Sequence, residues 1–190
     1  MYGEIIRLTY TPMTLMSLEK KELIGNWGFT NVTKNWNWKD ADQKPVQVAV
    51  FSNGDEVELI QNGTSVGKLT SGTRLAAELP HSFLFDLTYL PGTLEAVSYK
   101  DGKEISRDTL VTTGPAKELR LIQEKKELSA NGHEVAYVRV EIVDENGIVV
   151  PDAALRLSAA VEGVGSLAAF GSSNPITDEN YTSGTFTSYH

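Results

Sequence analysis

The tryptophans are the side chains of this sequence whose type and spacing best suit a specific chemistry. Trp36 and Trp38 are two residues apart, so in an extended segment both rings lie on one face. Such a pair predicts an aromatic platform on which sugar rings stack, and Trp27 is its third candidate member. Polar neighbours that could hydrogen-bond a sugar are Asn35, Asn37 and Asp40. The alternative is that these rings anchor a core or an interface, because one tryptophan buries about 150 to 250 Å².

The acidic residues do not form a recognisable catalytic pair. The sequence has 25 Asp and Glu residues, which fall mostly in turns and on predicted solvent faces. Asp55, Glu56 and Glu58 are conspicuous, but they interleave with apolar residues in a two-residue period. We therefore assign them to the solvent-facing half of a strand pattern and predict no catalytic residue.

Metal and cofactor sites are not predicted either. The histidines are far apart, each in a predicted loop, and none has a second ligand at helical or hairpin spacing; they are His81, His133 and His190. The turns at Asp40/Asp42 and Asp144/Asn146 could hold calcium, yet both lack the full series of oxygen ligands, so turn chemistry is the simpler interpretation. Gly163-Val164-Gly165 is followed by no predicted helix, so it is not a dinucleotide fingerprint.

Composition excludes several classes of partner. The net charge is −8 and the sequence pI is about 4.9, with Lys and Arg scattered rather than clustered. We therefore expect no nucleic-acid partner and no membrane partner. There is no apolar run of the roughly 20 residues that a membrane helix needs. The chain has no cysteine, which leaves the compartment open.

The stretch 46–69 predicts strand, turn, strand, turn, strand. Alternating β-branched residues mark half-buried strands, and Asn62-Gly63 is a strong hairpin signal. Alternation resumes at Phe83, Phe85 and Leu87, and a further hairpin is predicted around Asp101-Gly102. About six strands result, which is enough for a small sandwich.

A second unit of short strands follows the break at Thr112 to Pro115. Strands are predicted around Leu119 and Leu121, from Val135 to Ile142, around Leu155 and Leu157, and within 161–170. Residues 172–190 are rich in Ser, Thr and Asn, so we expect little contribution to a core from them. We predict an all-β chain with a connector arm at 1–33 and two tandem immunoglobulin-like β-sandwich domains at 34–113 and 114–190, the second lacking its last strand.

Several motifs stand in a specific order along the chain. In the first unit they are Trp36-Asn37-Trp38, Val57-Glu58-Leu59, Asn62-Gly63, Gly67, Pro91 to Val97 and Tyr99-Lys100-Asp101-Gly102. In the second they are Leu128 to Gly132, Tyr137-Val138, Asp144-Glu145-Asn146-Gly147 and Val150 to Ala153. The first set resembles the sandwich that follows the catalytic barrel in many bacterial family 2 glycoside hydrolases, the β-galactosidase group. The second resembles the immunoglobulin-like C-terminal domain of the same enzymes, and also bacterial invasin-type repeats.

The resemblance implies that this chain is not itself the enzyme. Retaining glycosidases need two carboxylates about 5 to 5.5 Å apart, and in that family both lie in the barrel, which would precede Tyr2. The expected partners are the barrel of the parent chain, carbohydrate, and a second copy in homo-oligomer contacts. The alternatives are a carbohydrate-binding module that uses the tryptophans and an adhesin-like spacer. The source would be bacterial, with the parent either extracytoplasmic or cytoplasmic.

Overall fold

The structure is a computed structural model that describes residues 5–9 (backbone only), 34–38, 41–70 and 81–189. Apart from 5–9, the connector predicted at 1–33 lies outside the described residues, and so do Trp27, Asp40 and His190. The described residues form antiparallel strands and no helix, which confirms the all-β prediction. It follows that no helix in this part of the chain has the length and apolar character required to cross a bilayer. The chain divides into two compact units, Met1–Thr112 and Thr113–His190.

The first unit contains two antiparallel sheets. Their strand orders are β1-β2-β5 and β4-β3-β6-β7. The strands are β1 (Ile5–Thr9), β2 (Pro45–Phe51), β3 (Glu56–Gln61), β4 (Thr64–Thr70), β5 (Ser82–Thr88), β6 (Thr93–Lys100) and β7 (Lys103–Val111).

Two tight hairpins set the register of the four-stranded sheet. Asn62 and Gly63, which join β3 to β4, have φ values of 50° and 78°. Asp101 and Gly102, which join β6 to β7, have φ values of 50° and 72°. Positive φ at both central residues defines the type I′ turn, whose twist matches that of the flanking strands. The predicted hairpins are therefore present where the Asn-Gly and Asp-Gly pairs indicated them.

The core of the first unit is built from the inward positions of both sheets. The two-residue period places Val48 and Val50 of β2 and Val57 and Leu59 of β3 at 0–3% exposure. The remaining buried members of this cluster are Trp36, Ala41, Val46, Phe83, Phe85, Tyr89, Leu94, Ala96 and Leu110.

Ion pairs cover the outward face of the four-stranded sheet. Val97 of β6 points outward yet is fully buried, and its register partners are the long polar residues Glu58 and Arg107. Lys68 contacts Glu56 at 2.7 Å, and Arg107 contacts Glu95 at 2.7 Å. Glu56 and its neighbours thus lie on the solvent face of β3, as the alternating pattern predicts.

The second unit contains two two-stranded antiparallel sheets. Its strands are β8 (Glu118–Gln123), β9 (Val138–Val143), β10 (Arg156–Ser158) and β11 (Thr185–Thr187), paired β8-β9 and β10-β11. The strand predicted from Val135 begins only at Val138, and residues 161–170 form none. Among residues 172–189 only Phe186 in β11 is buried, at 2% exposure, so the expectation of little core contribution is confirmed except at this side chain. The immunoglobulin-like arrangement of this unit stays a prediction.

Candidate functional site: the tryptophan segment

The tryptophan segment, residues 34–38, places its first tryptophan inside the core of the first unit. Trp36 is 2% exposed, and its ring meets that of Tyr89 edge-on, with centroids 4.7 Å apart and planes at 60°. The buried Nε1 hydrogen of Trp36 finds no acceptor within the described part of the chain. Packing, rather than a side-chain hydrogen bond, therefore holds the indole in place.

The main chain of this segment is fastened by two hydroxyl groups. The carbonyl oxygen of Trp36 accepts hydrogen bonds from Tyr89 Oη at 2.9 Å and from Thr112 Oγ1 at 2.7 Å. The amide of Trp38 in turn donates to Tyr89 Oη at 3.3 Å. A buried carbonyl with two good donors is fully satisfied, and its position is correspondingly well defined.

The two hydroxyls come from different sheets. Tyr89 directly follows β5 of the three-stranded sheet, and Thr112 directly follows β7 of the four-stranded sheet. Thr112 is itself tied to Gly92 through a main-chain bond at 2.8 Å and through its Oγ1 at 3.1 Å. The Trp36 carbonyl thus connects the ends of both sheets, and the segment closes this end of the first unit.

The second tryptophan is half-buried and lies against the core. Trp38 Nε1 donates to the carbonyl of Asn35 at 3.2 Å, and the amide of Asn37 donates to Asn35 Oδ1 at 2.7 Å. Asn35 and Asn37 are themselves buried, at 7% and 8% exposure. Asn35 therefore holds the turn through both its main-chain and side-chain oxygens.

This placement bears on the predicted sugar platform. The ring of Trp36 offers no free face, Trp38 offers part of one, and Trp27 lies outside the described residues. The geometry of Trp36 thus favours the packing alternative. Carbohydrate binding by Trp27, Trp36 and Trp38 stays a prediction, which a fluorescence titration with galactosides tests.

A cavity between the sheets of the first unit is too small for a sugar ring. Its volume is about 10 Å³, close to that of one water-sized probe. Its polar lining comes from Ser52, Ser98, Ser106 and Asp108. A hydrogen bond joins the Ser52 and Ser98 hydroxyls across it.

Asp144 is a buried carboxylate in a turn that the sequence predicts, with a partner that the sequence does not indicate. It is 1% exposed; Oδ2 accepts from the amide of Gly114, and Oδ1 accepts from the amides of Asn146 and Ile148, all at 2.9 Å. The hydrogen bond from Gly114, followed by that from Ile148, lowers the pKa of Asp144 below its ordinary value, although burial opposes the shift. Both oxygens therefore serve the turn rather than a calcium ion. The Asp144/Asn146 spacing predicted the turn, whereas no local signal indicated the Gly114 amide.

Three other groups with shifted pKa values belong to surface pairs. Burial raises the pKa of Tyr99, which donates to Glu58 at 3.3 Å and lies beneath Lys68. A hydrogen bond to Glu56 raises the pKa of Lys68. Hydrogen bonds to Glu104 and then Glu95 raise the pKa of Arg107. Among the described residues, no three potential metal ligands cluster.

Comparison with known proteins finds one matching domain family in each of the two units. Residues 119–190 match the family described as glycoside hydrolase family 2 C-terminal domain 5. Residues 43–106 match a domain of unknown function, DUF4982. A β-galactosidase of Bacteroides ovatus is 29% identical over 147 residues, which are 77% of this chain and 17% of that protein. A β-galactosidase of Thermoanaerobacter pseudethanolicus is 33% identical over 144 residues, which are 70% of this chain and 19% of that protein.

A solved structure supports the same placement. The crystal structure of a glycosyl hydrolase family 2 member from Bacteroides cellulosilyticus superposes with a TM-score of 0.84 at 27% identity, covering 98% of this chain and 24% of that one. The match over residues 119–190 and the relatives that cover most of the chain support a C-terminal domain of glycoside hydrolase family 2, which confirms the resemblance seen in the sequence. The chain spans less than a fifth of the length of the two curated relatives.

Proposed function

We propose that this chain is a non-catalytic accessory region of a β-galactosidase-like family 2 glycoside hydrolase, and that its second unit packs against the rest of the parent enzyme. The observation that carries this proposal is the distribution of exposed apolar side chains. Among the described residues, all the large exposed apolar side chains except Val66, Leu90 and Ile105 belong to residues 113–190.

The β8-β9 hairpin concentrates this apolar surface on one face. Leu119 and Leu121 of β8 are 52% and 64% exposed, and they pair with Ile142 and Val140 of β9. Val138, which continues the row, is 48% exposed. Ile142 is itself buried, at 7% exposure, but three apolar side chains about half exposed on one sheet face are typical of a contact surface.

The opposite face of the same hairpin has an ion pair at its centre, between Ile122 and the buried Val143. Arg120 contacts Glu141 at 2.6 Å and donates to the carbonyl of Gly147 at 2.8 Å. An isolated two-stranded sheet is marginally stable in water, and packing on one face is what normally supports it. The hairpin is therefore amphipathic in the manner of a strand pair that needs a partner on its apolar side. In the relatives named above, more than four-fifths of the protein lies outside the matched region and could supply that partner.

The hydrogen bonds and ion pairs of several carboxylates support a non-catalytic role. Glu95 and Glu104 are engaged by Arg107, Glu56 by Lys68, and Asp144 by main-chain amides. A retaining glycosidase needs one ionised nucleophile and one protonated acid about 5 to 5.5 Å apart. Carboxylates already committed to ion pairs and turns are poorly suited to either role.

The test uses the parent enzyme with and without changes on the apolar face. The double variant Leu119→Asp/Leu121→Asp is compared with Lys126→Asp, which places the same acid on an exposed loop nearby. We expect the double variant to lower the thermal midpoint and the aryl-galactoside hydrolysis of the parent, and the control to leave both unchanged. Equal behaviour of the two variants would overturn the packing role.

The chain on its own distinguishes the remaining alternatives. We expect no hydrolysis of aryl glycosides by the chain alone, and measurable hydrolysis would refute the non-catalytic role. A saturable change of tryptophan fluorescence with galactosides would instead support the carbohydrate-binding alternative. Self-association in sedimentation experiments that Leu121→Asp abolishes would assign the apolar face to a second copy.

A further inference from the structure

The chain contains four Asn-Gly steps whose surroundings differ. They are Asn53-Gly54, Asn62-Gly63, Asn131-Gly132 and Asn146-Gly147. Asparagine is among the heat-labile residues of proteins. It is most labile before glycine, since glycine lacks the Cβ that hinders approach of the main-chain nitrogen to the side-chain carbonyl.

The chemistry has defined steric and electrostatic requirements. The glycine amide nitrogen gives up its proton to solvent base and attacks Cγ of the asparagine, so that a C–N bond forms and the Oδ1 oxygen gains negative charge. The tetrahedral intermediate collapses with loss of ammonia, which leaves a cyclic imide. Water then opens the imide at either carbonyl and yields aspartate or isoaspartate. The local structure favours this sequence where the nitrogen is free and Oδ1 faces hydrogen-bond donors.

Asn62 is held away from this reaction by another part of the chain. Its Nδ2 donates to the carbonyl of Pro91 at 3.0 Å, and its Oδ1 accepts from the amide of Thr93 at 2.7 Å. A side chain fixed at both ends cannot turn toward the Gly63 nitrogen without losing both hydrogen bonds. The fold therefore protects this step.

At Asn53 the attacking nitrogen is the obstacle. The amide of Gly54 is buried and donates to Ser52 Oγ at 2.9 Å. Burial keeps solvent base from the proton that must leave, and the hydrogen bond points the nitrogen away from Cγ.

At Asn146 the attacking nitrogen is likewise held in a hydrogen bond, although Asn146 is exposed. The amide of Gly147 donates to the carbonyl of Asp144 at 3.1 Å and closes the turn that the Asp144 carboxylate caps. Attack by this nitrogen requires the turn to open first.

Asn131 has the opposite arrangement. The exposed Gly132 amide donates no hydrogen bond within the described part of the chain, and the space around Gly132 is open. Oδ1 of Asn131 accepts from the amides of His133 and Glu134, both at 3.0 Å. Two main-chain donors at this distance from the ground-state oxygen are placed to stabilise the negative charge that it gains when Cγ is attacked.

We propose that Asn131 is a spontaneous modification site of this protein, where the turn itself promotes conversion to aspartate and isoaspartate. The new carboxylate lies close to Glu134, whose own carboxylate accepts from the amide of Ser129 at 2.6 Å and from Lys125 at 3.0 Å. Isoaspartate also lengthens the main chain by one carbon and removes the side-chain acceptor from its place. Conversion therefore loosens residues 129–134.

The test follows deamidation by peptide mapping of the intact chain, stored folded in mildly alkaline buffer. The peptide 127–139 from trypsin contains Asn131 alone, and the peptide 140–156 contains Asn146 as an exposed internal control. We expect Asn131 to deamidate at least about 10-fold faster than Asn146, since an oxyanion donor commonly contributes more than that.

The same measurement in concentrated urea isolates the contribution of the fold. There we expect the two rates to converge, because both steps then share only the Asn-Gly pair. Equal rates in the folded chain would overturn the proposal. A preference for Asn131 that persists unchanged in urea would also overturn it, by assigning the difference to the flanking sequence.

Discussion

The Trp36 carbonyl offers a quantitative test of how the two sheets of the first unit are held together. Tyr89→Phe removes one of its two donors without changing the ring that packs on Trp36. Thr112→Val removes the other donor at nearly constant volume, and also removes the acceptor of the Gly92 amide. The double variant leaves a buried carbonyl with neither hydroxyl.

The expected losses in the free energy of unfolding follow from the number of hydrogen bonds that each variant removes. Tyr89→Phe loses the hydrogen bond to the carbonyl, which keeps Thr112, and the longer hydrogen bond from the Trp38 amide, so we expect a loss of about 1 to 2 kcal/mol. Thr112→Val also strands the Gly92 amide, so we expect about 1 to 2 kcal/mol. The double variant also leaves the buried carbonyl without these two donors. We therefore expect its loss in the free energy of unfolding to exceed the sum of the two single losses by about 1 kcal/mol.

Urea unfolding followed by tryptophan fluorescence is the suitable assay. All three tryptophans lie in residues 1–112, so the signal reports the first unit alone. Tyr99→Phe is the matched control, because its hydroxyl contacts Glu58 on the outward face of the sheet and no shift of the midpoint is expected. If the losses of the two single variants add within about 0.3 kcal/mol in the double variant, the shared carbonyl does not couple the sheets.

Three further predictions concern the second unit's turn and the core of the first. Asp144→Asn places an amide NH₂ against the Gly114 amide, so we expect the urea midpoint of residues 113–190 to fall. The midpoint is read from the Gly114 NMR resonance, and the control Glu145→Gln should leave it unchanged. Equal effects of the two variants would contradict the capping role. Folding lowers the pKa of Asp144, so its contribution to the free energy of unfolding is complete above the unfolded carboxyl pKa of about 3.9 and is lost as pH falls through the folded pKa. The difference in stability between wild type and Asp144→Asn should therefore disappear in acid. A stability difference that does not depend on pH would contradict this prediction. Leu59→Ala should cost about 3 to 5 kcal/mol and Leu121→Ala less than about 0.5 kcal/mol in the isolated chain; similar losses would contradict the assigned burial.

Local signals were sufficient for the strands and hairpins of the first unit. The backbone at Asn62-Gly63 requires positive φ at both residues, and few residue pairs other than Asn-Gly adopt it readily. Alternation along β2 and β3 identifies the inward side chains, since successive residues of a strand face opposite sides of a sheet. Both features depend on neighbours in the chain, so a sequence displays them directly.

The second unit was harder to predict because its signals are weak. Its strands are short, β10 and β11 having three residues each, and a run of that length carries little periodicity. Phe186 lies in a polar stretch, yet it is buried: its ring contacts that of Tyr181, with centroids 4.8 Å apart, and Leu157 lies opposite it across β10 and β11. The strand pairing joins residues almost thirty positions apart, which no local pattern records.

By itself, the sequence determined the all-β class, the type I′ hairpins, the order of the two units and the glycoside hydrolase family they resemble. Tertiary structure alone decided what Trp36 does: a spacing of two suits a sugar platform and a core anchor equally, and only the hydroxyls of Tyr89 and Thr112, arriving from different sheets, place it in the core. It likewise decided that Asp144 is buried and accepts from the Gly114 amide, which is thirty residues away, whereas the turn itself was predicted from the sequence. Side-chain identity and spacing are local properties, whereas burial and hydrogen-bond partnership arise only when distant strands meet.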